Sequence, residues 1–246
     1  MPRLKLTIEY AGTRYSGWQA QKNARTVQGE LERAVREVVR SGRVETYGSG
    51  RTDAGVHALA QVASFRTVAR VEPARLGRGL NALLPPEIAV TEVARAAAAF
   101  DARAAAARTY RYRLWLPDTP PVFDRLYVWD VRGPLDVDRL AAVAALLPGR
   151  RDFSALTPSA RFYHTCVREV RRAGWTLSDD GREAVFEIAA GSFLHNMVRV
   201  AVGTMVDVAQ GRMTLEQVVD GLAGGERRAL GRTAPARGLA LVAVEY

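Results

Sequence analysis

Cysteine and lysine are nearly absent from this chain. Cys166 is the only cysteine among 246 residues, which excludes an intrachain disulfide and a cysteine-rich metal site and points to a reducing compartment. Histidine is almost as scarce: His57, His164 and His195 form no H-x-x-x-H pair, and His164 and Cys166 stand two apart without companions. Solvated or core-satisfied imidazoles are the expectation, with no metal. No stretch approaches the ~18 uninterrupted apolar residues of a membrane span. The first ten residues alternate apolar and polar instead of forming the apolar core of a leader. A soluble, cytoplasmic protein is expected.

What is present is ordinary in bulk and unusual in charge. Apolar residues make up 48% and charged residues 25%, enough for one large domain or two average ones, each with a real core. The 35 Lys+Arg against 26 Asp+Glu leave a net charge of +9, and only Lys5 and Lys22 are lysine. A field of this sign attracts polyanions, and the planar guanidinium suits phosphate and base edges better than an ammonium does. Forty alanines, three asparagines and six glutamines show that composition alone also favours Arg over Lys here, but composition does not explain the net +9.

Periodicity mixes strands and helices in both halves of the chain. Leu4, Leu6, Ile8 and Tyr10 alternate as one face of a strand, and Thr26 caps a helix running through Leu31, Val35 and Val39. A short strand is expected at Val44 to Tyr47, another around Gln61 to Arg66, a helix from Pro73 to Leu84 and a strand through Ile88, Val90 and Val93. The alanine-rich run from Ala96 to Ala107 reads as a connection. After it, Thr109 to Leu116 alternates, with Tyr110, Tyr112, Leu114 and Leu116 on one face and Arg111, Arg113 and Trp115 on the other. A capped helix from Asp136 to Leu147, two strands folded at Ser178 to Gly181, helices from Leu194 and Thr214, and a last strand at Leu239 to Val244 complete an α+β pattern. The expected division is residues 1–104 and 105–246.

Gly48-Ser49-Gly50-Arg51-Thr52-Asp53-Ala54-Gly55-Val56-His57 is the most unusual segment. Three glycines within eight residues let the backbone turn sharply and approach a ligand or another segment closely. A dinucleotide fingerprint does not fit, because the third glycine comes two positions late. A Ser49, Asp53, His57 triad fails too, since triad members converge from separate elements and no G-x-S-x-G elbow is present. Asp53 alone is equally explained as the cap of a turn or of a following helix. Tyr110-Arg111-Tyr112-Arg113 has the aromatic and basic interleaving of nucleic-acid sites, and also the pattern of a half-buried strand. His195 and Arg199 fall one turn apart on an amphipathic helix.

Taken together, and in order, these segments resemble the tRNA pseudouridine synthases of the A type. The resemblance is carried by Tyr15-Ser16-Gly17-Trp18-Gln19, Thr26-Val27-Gln28, Gly50 to His57, Asn81 to Pro85, Phe100-Asp101-Ala102-Arg103, Tyr110-Arg111-Tyr112, Asp152-Phe153-Ser154, His195 to Arg199 and Thr233 to Leu239. G-R-T-D-A-G-V-H is the most specific of them. Two positions depart from the family pattern, Val200 where a polar residue is frequent and Glu87 where Asp is usual.

The resemblance implies two similar α/β halves around a mainly antiparallel sheet, acting as a homodimer without cofactor or metal. It implies isomerisation of uridine to pseudouridine in the tRNA anticodon stem-loop, at the positions numbered 38, 39 and 40. The family's catalytic aspartate falls on Asp53, its active-site tyrosine on Tyr110, and its active-site arginines on Arg51 and Arg199. Arg14 and Arg103, beside other matching segments, are candidates for contact with the RNA backbone.

The residue types suit the reaction, which breaks the bond from ribose to N1 of uracil, turns the base and rejoins it through C5. An aspartate, with an ordinary pKa of about 3.9, is ionised at neutral pH without a neighbouring base. Arg199 paired with it would keep it so in a site that the bound base dries out. Attack at C6, attack at C1′ and elimination to a glycal all remain open. Tyr110 is a candidate for stacking on the flipped base and, despite a phenol pKa near 10, for removing the C5 proton. The competing reading is a tRNA-binding protein without catalysis on the same scaffold.

Overall fold

A computed structural model describes residues 3–69 and 71–246, so Met1 and Pro2 of the opening alternation lie outside the described residues. The chain divides into two compact units, Met1–Arg108 with Ala240–Tyr246, and Thr109–Leu239.

The first unit grows from the alternating strand. In β1 (Arg3–Tyr10), Leu4, Leu6, Ile8 and Tyr10 are buried and the residues between them are not. The strand pairs antiparallel with β3 (His57–Arg66) and with β4 (Ile88–Ala96), placing Ile8 opposite both Gln61 and Val90. A short β2 (Tyr47–Gly48) pairs with β3, and β10 (Leu239–Glu245) runs parallel to β3, with Ala240 opposite His57. The order β4-β1-β3-β10 thus brings the C-terminus beside a strand from the first quarter of the chain.

Two helices pack together in this unit. Thr26 accepts from the Gly29 amide and starts α1 (Val27–Val39), whose Leu31, Ala34 and Val35 are fully buried. Helix α2 (Pro73–Leu83) buries Leu76 and Leu80 and packs on β4. The strand expected at Val44 to Tyr47 shrinks to Tyr47–Gly48. The Thr46 amide and hydroxyl both donate to Glu32, and its carbonyl accepts from Gln28, so no ladder bond is left for it to make.

In the second unit β5 (Ala107–Trp115), continuing from Thr109, leads an order β5-β9-β8-β7. β7 (Gly149–Asp152), β8 (Val167–Leu177) and β9 (Glu183–Ala190) pair antiparallel, and β6 (Trp129–Asp130) joins β5 in parallel. The helices are α3 (Val137–Ala144), α4 (Met197–Ala209) and α5 (Leu215–Gly224). Twelve of the thirteen residues of α4 are buried, which makes it the core of the unit, with α3 against it.

Two sequence expectations change here. Trp115 is buried, not outward: its indole donates to the Thr119 carbonyl at 2.7 Å and the Arg182 guanidinium lies 4.6 Å above its ring. Helix α4 begins at Met197 and not at Leu194, because Asn196 adopts the left-handed conformation, φ 61°. Both units mix helices with mainly antiparallel sheet, so the α+β class holds. None of the helices among the described residues is long and apolar enough to cross a membrane.

The position of β1 inside its sheet sets a stability contrast. Ile8→Ala, at a fully buried site, is expected to cost about 2–5 kcal/mol in urea unfolding, whereas Glu9→Ala next to it stays within about 0.5 kcal/mol. Equal losses at the two positions would contradict the burial pattern.

Candidate active site

The glycine-rich loop is built by pressing two backbone segments together. The Trp18 amide donates to the Thr52 carbonyl at 3.1 Å, the Gly55 amide to Tyr15 at 3.2 Å, and the Gly12 amide to Nδ1 of His57 at 3.1 Å. The approach leaves no room for side chains. A Cβ on Gly12 would stand 1.9 Å from the Val56 carbonyl oxygen, and one on Gly17, at φ +87°, 2.5 Å from that of Thr52. Real Cβ atoms do not come that near to backbone, so these glycines are required by the contact.

Side chains beneath the loop complete its support. Trp18, almost fully buried, stacks on Tyr10, and the Tyr10 hydroxyl shares a 2.8 Å hydrogen bond with Thr52 Oγ1. Burial drives the Tyr10 phenol well above its ordinary range, so it stays protonated as part of the scaffold. Gln61, fully buried on β3, accepts from the Ser49 hydroxyl at 2.7 Å and donates to the Gly50 carbonyl at 2.9 Å. Gln28 serves the outer side, accepting from Gln19 and the Ala20 amide and donating to the Thr46 carbonyl.

On this support Arg51 is exposed, Thr52 buried and Asp53 half-buried. The segment after Asp53 is β3, not a helix, so Asp53 is no helix cap; its carbonyl accepts from the Val56 amide to close a turn. His57 is buried, and its Nδ1 accepts from the Gly12 amide.

Of the remaining candidates in this unit, Arg51 and Arg103 line one groove of about 550 Å3 together with Trp18, Gln28, Tyr47 and Gly50. Asp53 is not in its lining. Arg103 stacks on the Tyr47 ring at 4.5 Å and clasps Asp101 with a 2.7 Å contact, and that hydrogen bonding holds the Asp101 carboxyl below its usual range. Arg14 lies elsewhere, paired at 3.0 Å with Glu87, the residue that departs from the family pattern.

In the second unit, Tyr110 is buried and meets Phe193 edge-on, ring centroids 5.0 Å apart. Arg199 sits in the first turn of α4 with its guanidinium fixed by the Ala234 carbonyl and Asn196 Oδ1, both at 2.8 Å. The Ala234 amide returns a bond to the Arg199 carbonyl, and the neighbouring Pro235 carbonyl accepts from the Tyr112 hydroxyl. The Thr233 to Leu239 motif therefore serves to hold Arg199. His195 is joined to Ser159 through Nδ1 at 2.8 Å and to the Tyr163 hydroxyl through its amide. Gln61 and Asn196 were not among the sequence candidates. The only local signal for Gln61 is a polar residue within a strand whose neighbours Val62, Ala63 and Phe65 are core.

The loop contact makes a stability prediction. Gly17→Ala and Gly12→Ala are expected to lower the urea midpoint by the equivalent of roughly 1–3 kcal/mol or more. Gly42→Ala in the same unit, with nothing within 4 Å, leaves it unchanged or slightly raised. Indistinguishable melts for Gly17→Ala and Gly42→Ala would show that the two segments do not touch as described.

Comparison with known proteins agrees with the motif pattern. A family model described as tRNA pseudouridine synthase matches residues 6–103 and 143–246. Curated proteins named tRNA pseudouridine synthase A are similar along the whole chain: one from Moorella thermoacetica is 41% identical over 249 residues, and one from Pelobacter propionicus 42% over 250, each covering 100% of both sequences. One from Myxococcus xanthus is 41% identical over 247 residues, 100% of this chain and 92% of its own. A Cbf5-Nop10-Gar1 complex aligns over 97% of this chain and 48% of that one at TM-score 0.42 and 13% identity, too distant to add to the assignment. With a matching family model over both units and full-length relatives above 40% identity, the chain belongs to the tRNA pseudouridine synthase family.

Proposed function

We propose that this protein isomerises uridine to pseudouridine in the anticodon stem-loop of tRNA, at positions 38, 39 and 40, with Asp53 as nucleophile. Family membership supports the reaction and the tRNA substrate. The observation that carries the catalytic role is the setting of Asp53, a half-buried carboxylate on a loop held by backbone contacts that admit only glycine.

The reaction conserves atoms and electrons. The bond from C1′ to N1 breaks, a bond from C1′ to C5 forms, a proton leaves C5 and N1 gains one. No oxidant, reductant or carrier is required, so a carboxylate and a group that moves one proton suffice. Tyr110 is assigned the ring that stacks on the extruded base, and Arg199 a fixed positive charge of the catalytic set. Extrusion costs a few kcal/mol, and an aromatic face recovers part of it. Arg51, exposed beside Asp53, is assigned to the flipped nucleotide, and Arg103, on the same groove, to the RNA backbone. Arg14, with a largely exposed side chain shared with Glu87, is a weaker backbone contact. The working form is a cytoplasmic homodimer.

The test is site-resolved pseudouridine mapping of unmodified tRNA after incubation with wild type and with Asp53→Asn. Product at positions 38–40 from wild type, none from the mutant, and undiminished tRNA binding by the mutant are expected. Binding should weaken steeply as salt rises, because arginine contacts to phosphate release counterions. Product from the mutant at the wild-type rate would remove Asp53 from the chemistry, and wild-type product only outside the anticodon arm would overturn the substrate assignment. Tight binding of tRNA with no product from wild type would favour the purely binding reading.

A further inference from the structure

We infer that Arg108 is a positioning residue for the reaction, a guanidinium clamp that fixes the path of the Asp53 loop through its backbone. Arg108 lies near the start of β5 and within the first unit. Its Nε and Nη2 both donate to the carbonyl oxygen of Ser49, at 3.0 and 2.5 Å. Nη1 donates to the Ala105 carbonyl at 2.8 Å and Nη2 also to that of Arg103 at 2.9 Å. One side chain thus joins the Gly48 to Asp53 loop to the turn that carries Arg103.

The clamp acts on the residue where the loop is most completely held. The Ser49 amide donates to Val62 at 2.7 Å, its hydroxyl to Gln61 at 2.7 Å, and its carbonyl receives the Arg108 fork. With these groups engaged, Ser49 cannot shift without breaking several bonds, and Arg51 and Asp53 follow two and four residues on. The same guanidinium also donates to the Arg103 carbonyl, which gives the fork a second anchor beside the loop. This geometry needs a planar fork. A lysine ammonium at the end of a flexible stem brings one point of charge and does not place two parallel N–H groups on one carbonyl while reaching two others.

Arg108 is therefore not assigned to substrate. Its effect passes through the position of the loop, and a misplacement near 1 Å at a reacting group costs about 10²-fold in rate. The inference rests on the reading of Asp53 as nucleophile, so the test separates the two.

Steady-state and single-turnover pseudouridine formation on tRNA would be measured for wild type, Arg108→Lys, Arg108→Gln and Asp53→Asn, with tRNA affinity measured separately. Both Arg108 variants are expected to lose about 10²-fold in kcat, with KM and tRNA affinity within about threefold of wild type. For Arg108→Ala, added ethylguanidinium is expected to restore kcat at least about tenfold without changing KM, a rescue that also answers any loss from poor folding. Wild-type kcat in Arg108→Lys while Asp53→Asn is dead would overturn the clamp alone. A rise in KM with kcat unchanged would overturn it in favour of a direct phosphate contact. Full activity in Asp53→Asn would instead remove the nucleophile reading on which the inference rests.

Discussion

The close contact between the backbone of residues 12–18 and that of residues 52–56 is the constraint on which the first unit's site depends. Carbonyl oxygens of Thr52 and Val56 stand where a Cβ on Gly17 or Gly12 would be. That contact turns a glycine-rich segment, which by composition is loose, into one with a determined path. Loop residues gain little from burial of their own, so the path is held by bonds at each level: amide to carbonyl between the segments, Tyr10 to Thr52 below, and Gln61 to Ser49 and Gly50 behind. An exposed arginine and a half-buried aspartate two residues apart then project from a fixed frame. Positioning of this kind is worth many kcal/mol in catalysis because it removes the entropy of bringing groups together at the moment of reaction.

Arg199 in the second unit is held by similar means. Its guanidinium bonds Ala234 and Asn196, and the segment that supplies Ala234 is itself tied to Tyr112. Asn196 takes the left-handed conformation so that its side chain reaches the arginine three residues on, and asparagine tolerates that conformation better than most residues. The Ala234 carbonyl and the Asn196 side chain fix the direction of the Arg199 guanidinium. The net charge of +9 has the sign that attracts a polyanion.

Much of the fold was legible because its signal is periodic. The face of β1, the cap at Thr26 and the turn at Ser178 to Gly181 follow from alternation, helical spacing and capping chemistry, and they appear where those rules put them. What was not legible depends on contacts distant in sequence. Arg108 meets Ser49 across 59 residues and Gln61 meets Ser49 across 12, and neither partner can be read from the residues beside it. Trp115 sits on the polar side of an alternating strand, yet Thr119 and Arg182 cover it. Apolar spacing that continues through Leu194 predicts an earlier start for α4, whereas the left-handed Asn196 decides where the helix begins. For the site, Asp53 stood out through the G-R-T-D-A-G-V-H motif alone. Local chemistry was equally consistent with a capping role, and it took the strand that follows to remove the helix cap.

The most direct measurement of whether position, and not merely charge, makes Asp53 effective is C5 proton release from tRNA carrying tritiated uridine, in single turnover, with Asp53→Glu. Glutamate keeps the carboxylate and moves it outward by one methylene. Release slowed by about 10²-fold or more, with tRNA affinity unchanged, is the expected result. Release at a rate near that of wild type would contradict a nucleophile held in place by the loop.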